Sequence, residues 1–189
     1  MKGMQARLSA SLALIFVSAA AVAATPDIAG VWMRYPEPYA GEDEEPLPPG
    51  GEPELKEPYK SVYRSFLQHR RAALERGQPL MDDSTRCLPE GMPTIMGATY
   101  PIEILQSSQH VVVLAEFLTQ TRRIFLNEKM PRVDEITPSY NGHAVGHWEG
   151  ATLVVETRGV AEEVRFAPFG IPHSRSMRIT ERLRLTGRN

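Results

Sequence analysis

Cysteine is almost absent: Cys87 stands alone among 189 residues. A lone thiol closes no internal disulfide, so this fold must stand on core packing even in an oxidising compartment. The thiol itself is expected to be packed and inert. Leu88-Pro89-Glu90-Gly91 follows it and reads as a turn, not as a catalytic elbow. An excess of positive charge is also missing. There are 21 Lys and Arg against 23 Asp and Glu, which argues against nucleic acid or an acidic membrane surface as partner. No Gly-x-Ser-x-Gly, phosphate loop or dinucleotide fingerprint occurs, and there is no internal repeat. Long apolar runs are absent beyond Val22, so no later stretch is expected to span a bilayer.

What is present begins with three zones. Lys2 and Arg7 give a short positive region, Leu8 to Val22 is apolar and uncharged, and Ala21-Val22-Ala23 is a small-x-small cleavage signal. The apolar run is short and alanine-rich for a membrane anchor, which needs roughly 20 apolar residues. Residues 1–23 are therefore expected to be a secretory signal peptide, and the protein to be periplasmic or secreted. Losing Lys2 and Arg7 with that segment takes the formal net charge from −2 to −4. The remainder suits a single domain.

Residues 24–36 hold a first strand, Asp27 to Met33, β-branched and apolar. Residues 37–57 are dense in proline and carry Glu42-Asp43-Glu44-Glu45. Proline lacks the amide donor and the carboxylates repel, so a surface loop is expected. A calcium site there would want ligands held by a turn, which the run does not supply. Residues 58–77 form the one good helix. Tyr59, Val62, Tyr63, Phe66, Leu67 and Leu74 recur at helical spacing, Pro58 suits the first turn and Gly77 the end. Residues 78–189 supply further short strands: 102–106, 110–117, 119–126, 143–148, 152–157 and 176–185. Glu149-Gly150-Ala151 is a hairpin reversal. Seven strands with turn punctuation predict a mainly β fold, an antiparallel sheet closing toward a β-barrel with one amphipathic helix packed on it.

Several segments together resemble an uncharacterised family of exported bacterial proteins. They are Asp27-Ile28-Ala29-Gly30-Val31-Trp32, Cys87 to Pro93, Tyr100 to Ile104, Arg122-Arg123-Ile124-Phe125, Gly142 to Thr157 and Glu181-Arg182. The resemblance implies export and sheet content but no activity. The family's turn carries aspartate where Ala151 stands here, and its members continue in further strands, whereas this sequence ends at Gly187-Arg188-Asn189. Gly30-Val31-Trp32 is also similar to the Gly-x-Trp of lipocalins. That likeness implies an indole plugging one barrel end under a late-strand arginine, here Arg182 or Arg184. Small barrels of about eight strands can hold one small ligand.

Among residues able to carry chemistry, His143 and His147 lie four apart on a strand, roughly 13 Å. That is too far to share a zinc ion unless a bulge at Gly142 or Gly146 shortens it, and no metal or other cofactor is expected. The spacing puts both imidazoles on one sheet face with Val145, leaving Ala144, Gly146 and Trp148 on the other. His173 and Ser174 are adjacent and would point apart on a strand, so they make no nucleophile pair. Glu103, Glu116, Glu149, Glu156 and Glu181 sit in or beside strands, with Arg122, Arg123, Arg178, Arg182 and Arg184 as possible partners. Ion pairs on an outer face are the simpler expectation. A polar cluster inside the barrel is the other.

Three readings follow. The leading one is an exported, lipocalin-like barrel that binds a small apolar or amphipathic molecule, with Trp32, Tyr100, Arg123 and Trp148 as contacts. The second is an isomerase, lyase or hydrolase using His143 or His147 with Glu116 or Glu149 as acid and base. The third is an interaction module, for example a homodimer, pairing through an open sheet edge.

Overall fold

The computed structural model describes residues 25–34, 51–81, 83–97, 100–166 and 169–187. The expected signal peptide and the acidic run of the Pro-rich loop lie outside the described residues. Seven strands form one sheet in chain order: β1 (Gly30–Trp32), β2 (Ile102–Gln106), β3 (His110–Ala115), β4 (Gln120–Leu126), β5 (His143–Glu149), β6 (Thr152–Arg158) and β7 (Arg178–Arg184). One helix, α1 (Tyr59–Glu75), precedes β2. The sheet curls into a half-barrel. It is open, because β1 and β7 lie at its two edges and do not pair.

One expectation needs correction. The sheet is mixed, since β4 and β5 run parallel, with Ile124 beside Ala144 and Leu126 beside Gly146. Residues 127–142 join the two strands. They carry the chain back to the level of Arg123, so that β5 starts beside the second half of β4 and runs parallel to it. Every other neighbouring pair is antiparallel. The β5–β6 ladder is unbroken from His143–Arg158 to Glu149–Thr152 and closes through Gly150-Ala151, with Gly150 at φ +59°. No bulge draws His143 and His147 together. Gly146 serves packing instead, as a Cβ there would lie 2.9 Å from Ile124 Cγ2 and 3.3 Å from Leu153 Cδ1.

Strand alternation decides the core. Ile104, Val111, Val113, Ile124, Leu126, Ala144, Leu153 and Val155 are buried on the inner face. A second cluster closes one end of the half-barrel. There Met92 and Ile95 meet Ala115, Val160, Ala161 and Val164. Burial of these side chains contributes about 1.5–3 kcal/mol each for the larger ones. The opposite end, where β2 turns into β3 and β4 and β5 finish, is the mouth.

The helix ends as its sequence predicts. Gly77 takes φ +65°, its N–H donates to Leu74 O at 2.8 Å, and Gln78 N–H donates to Ala73 O at 2.9 Å. This paired arrangement satisfies carbonyls the last turn would leave open. Its apolar face is only partly used: Tyr63 and Ala73 are buried, whereas Val62 and Leu74 are exposed. Phe66 seats against Gly170 in the connection from β6 to β7, where an added Cβ would strike the ring. The Cys87 thiol is exposed, not packed. Its residue follows the 3-10 turn Asp83–Arg86 at φ +59°, a surface reversal that turns the side chain out of the core.

Candidate functional site

The mouth of the half-barrel holds a cleft of about 530 Å³. Its floor is apolar and comes from the last inner-face residues of two strands, Leu126 of β4 and Trp148 of β5. Its rim is polar, from Ser107 and Ser108 of the β2–β3 turn, Asn127 and Asp27. Local geometry fixes each part. Asn127 turns the chain out of β4 at φ +59° while its N–H donates to Gly146 O at 2.8 Å. Ser107 closes its turn through the N–H, which donates to His110 O at 2.8 Å. Gln106 ties the segment before β1 across the mouth. Its Oε1 accepts from Ile28 N–H at 3.1 Å and its Nε2 donates to Pro26 O at 2.9 Å. The Trp148 indole N–H is buried and has no hydrogen-bond partner. Such a donor costs free energy until an acceptor reaches it.

Further inside lies a buried polar cluster. Arg122 of β4, 1% exposed, reaches across the interior to Glu181 of β7. Its Nη1 donates to Glu181 Oε1 at 3.0 Å, its Nη2 to Glu181 Oε2, and the same Nη2 to Thr157 Oγ1 at 2.9 Å. The bidentate fork is the arrangement in which arginine holds carboxylate best. Nε is left without a partner. The interior therefore does hold an ion pair, but its basic member is arginine. No histidine joins it, so it is not an acid–base couple.

The four acid–base candidates are distributed as follows. His143 and His147 share the outer face with Val145, and Ala144 and Gly146 are buried on the inner one. His147 Nε2 is 3.1 Å from Glu149 Oε1, and Arg182 Nη1 donates to Glu149 Oε2 at 2.9 Å. All three are about half exposed. The Arg182 N–H first, and then His147, hold the Glu149 carboxyl below its ordinary pKa. His143 stacks on Phe125 with ring centres 5.0 Å apart. Glu116 sits exposed at the turn after β3, at the closed end, away from Glu149. The structure brings His147 and Glu149 together and leaves Glu116 apart.

The four ligand-contact candidates do not converge either. Trp148 lines the cleft. Trp32 folds its indole back onto its own segment, Nε1 donating to Ile28 O at 3.0 Å, whereas Arg182 is engaged by Glu149. Arg182 and Arg184 sit on β7, at the other edge of the sheet from β1. Tyr100 is half exposed and stacks on Phe117 at 4.8 Å. Arg123 is on the outer face, beside a shallow groove of about 320 Å³. Gln106, Asn127 and Leu126 were not singled out from sequence; an asparagine just past a strand end was the one available signal. Thr157 was missed because a threonine inside a β-branched strand looks like any other. Among the described residues no group of three or more His, Cys, Asp or Glu stands close enough to hold a metal ion. Comparison with protein-family models, curated proteins and solved structures finds no match for this chain.

Proposed function

We propose that this is an exported half-barrel protein that binds a small apolar or amphipathic molecule in the mouth cleft. The observation that carries the reading is the cleft itself, with Leu126 and Trp148 as an apolar floor and Asp27, Ser107, Ser108 and Asn127 as a polar rim. The cleft volume falls within the range of small-molecule sites, roughly 300–1,000 Å³. A ligand with an apolar body and a polar head matches both parts: the body lies on Leu126 and the indole, and the head meets the rim. The chain has two tryptophans, so Trp32→Phe leaves Trp148 as sole reporter. Titration with a medium-chain alcohol is expected to shift its emission saturably, and native mass spectrometry of the exported protein to find a copurified small molecule. A linear, unsaturable response with no bound molecule would sink the reading.

A second reading rests on the sheet edges. Among the described residues β1 and β7 each leave one side without a partner strand, and such rows of N–H and C=O groups take further strands. A strand added there would carry the half-barrel toward the lipocalin-like closed form. Sedimentation that is monomeric at every concentration would count against pairing between copies. The His147–Glu149 contact lies about half exposed on the outer face, open to water, so the enzyme reading has the least support.

A further inference from the structure

Strand register aligns a row of side chains on the outer face of the sheet. β2–β3 pairing sets Leu105 beside Val112, and β3–β4 pairing sets Val112 beside Arg123. Arg123 lies one step before the Ile124–Ala144 pair, next to His143. His143 is paired with Arg158, and Arg158 with Arg178. One line across six strands thus runs from two apolar side chains into four cationic or imidazole ones. Strands lie about 4.8 Å apart, so the four basic positions span about 14 Å.

Like charges directly opposite each other weaken a sheet, and Arg158 faces Arg178 squarely. Only Arg158 is neutralised locally, by Glu156 Oε1 at 2.6 Å from its Nε. Arg123 and Arg178 are exposed and meet no carboxylate among the described residues. The other carboxylates near the row are not free for it. Glu149 is held by Arg182 and His147, and Glu103 stands on β2, two strands from Arg123. The ring of His143 is fixed beside the row by stacking on Phe125, whose edge is met by His110 at 5.3 Å. Two arginines without a carboxylate among the described residues, Arg123 and Arg178, thus share one face with Arg158 and His143 on a chain whose formal net charge is −2.

We propose that this row binds an acidic polysaccharide laid across the strands. A glycan of uronate sugars carries one carboxylate on each ring, a spacing of the same order as the strand spacing of ~4.8 Å, and Leu105 and Val112 give its sugar faces an apolar seat at one end. Single-stranded nucleic acid fits less well. It needs aromatic faces on which bases stack, and here Phe125 already has His143 against its face. The row is separate from the mouth cleft, which opens on the inner face.

The test is polygalacturonate binding to the full chain by calorimetry at low salt, with neutral dextran as control. Binding is expected for polygalacturonate alone, weakening as salt rises because each contact releases counterions. The double variant Arg123→Ala/Arg178→Ala is expected to bind about tenfold or more weakly, since it deletes the two guanidinium groups that would contact the carboxylates. Arg132→Ala, an exposed arginine outside the row, should bind as the unaltered protein does. Arg178→Glu places an opposite charge before Arg158, so its melting temperature should hold or rise while binding falls, separating lost affinity from lost fold. No binding at low salt, or unchanged affinity in the double variant, overturns the site. Tighter binding of single-stranded DNA of equal charge overturns the choice of polysaccharide.

Discussion

Arg122 decides much at the scale of single residues. It is almost fully buried, yet it is charged, and only the Glu181 carboxylate and the Thr157 hydroxyl make that tolerable. Removing one partner leaves a buried uncompensated charge. Glu181→Leu is therefore expected to cost about 3–5 kcal/mol, whereas Arg122→Met combined with Glu181→Leu should cost far less or nothing. Urea denaturation of the two single variants and the double closes the cycle; additive losses would mean that the pair is not coupled. Glu149 is the surface counterpart. Its carboxyl is held low by Arg182 and then His147. A carboxyl whose folded pKa is depressed adds stability above its unfolded value and loses it as pH falls through the folded one. Glu149→Gln should thus flatten the acid limb of the stability profile and leave stability near neutral pH slightly lower. The effect should shrink with salt, as for any exposed pair. The presence of such pairs was legible in sequence, because Glu and Arg fall inside β runs. Which of them is buried was not: alternation sends the neighbours Arg122 and Arg123 to opposite faces, and only the sheet's curvature decides which face is inside.

Glycines carry the tests at the scale of elements. Gly146 of β5 lies between β4 and β6, and a Cβ there would push on Ile124 and Leu153. Gly146→Ala is expected to cost about 1–3 kcal/mol through overpacking; a thermal melt at unchanged midpoint would show that the strands can part freely. Gly170→Ala acts on α1 instead. It combines a positive φ of +69° with a Cβ driven into the Phe66 ring, so the helix should lose its seat and amide exchange in residues 59–75 should quicken before the sheet melts. Exchange that rises everywhere together would place α1 in the same cooperative unit as the sheet. Element type and order were readable from periodicity: β2 was placed with its ends correct, and six other strands and the helix to within a few residues. The parallel β4–β5 pair was not readable. A loop of this length permits either a reversal or a crossover, and only the inner-face packing of Ile124 against Ala144 and Leu153 selects the second.

For the molecule as a whole, the half-barrel has a plugged end and an open one. The plugged end holds Met92, Ile95 and Val164; the open end holds the cleft with Trp148. Trp148→Phe keeps most of the apolar floor but deletes the unpartnered N–H. This variant should fold at least as stably, because a buried unsatisfied donor has been removed, and should bind a cleft ligand more weakly, because the apolar floor is smaller. A variant that is both less stable and equally tight would assign Trp148 to packing alone.

Local pattern by itself determined the strands, the helix with its glycine stop, the faces of β5, and the isolation of the one cysteine, because these depend on periods of two and 3.6 residues and on residue counts. Tertiary structure decided the rest: the open half-barrel, the exposed thiol, the Arg122–Glu181–Thr157 cluster, the cleft at the mouth and the outer row from Arg123 to Arg178. Each of these joins residues far apart in the chain through strand register and sheet curvature. A single strand's alternation tells which residues share a face, but not whether that face turns toward a core or toward water.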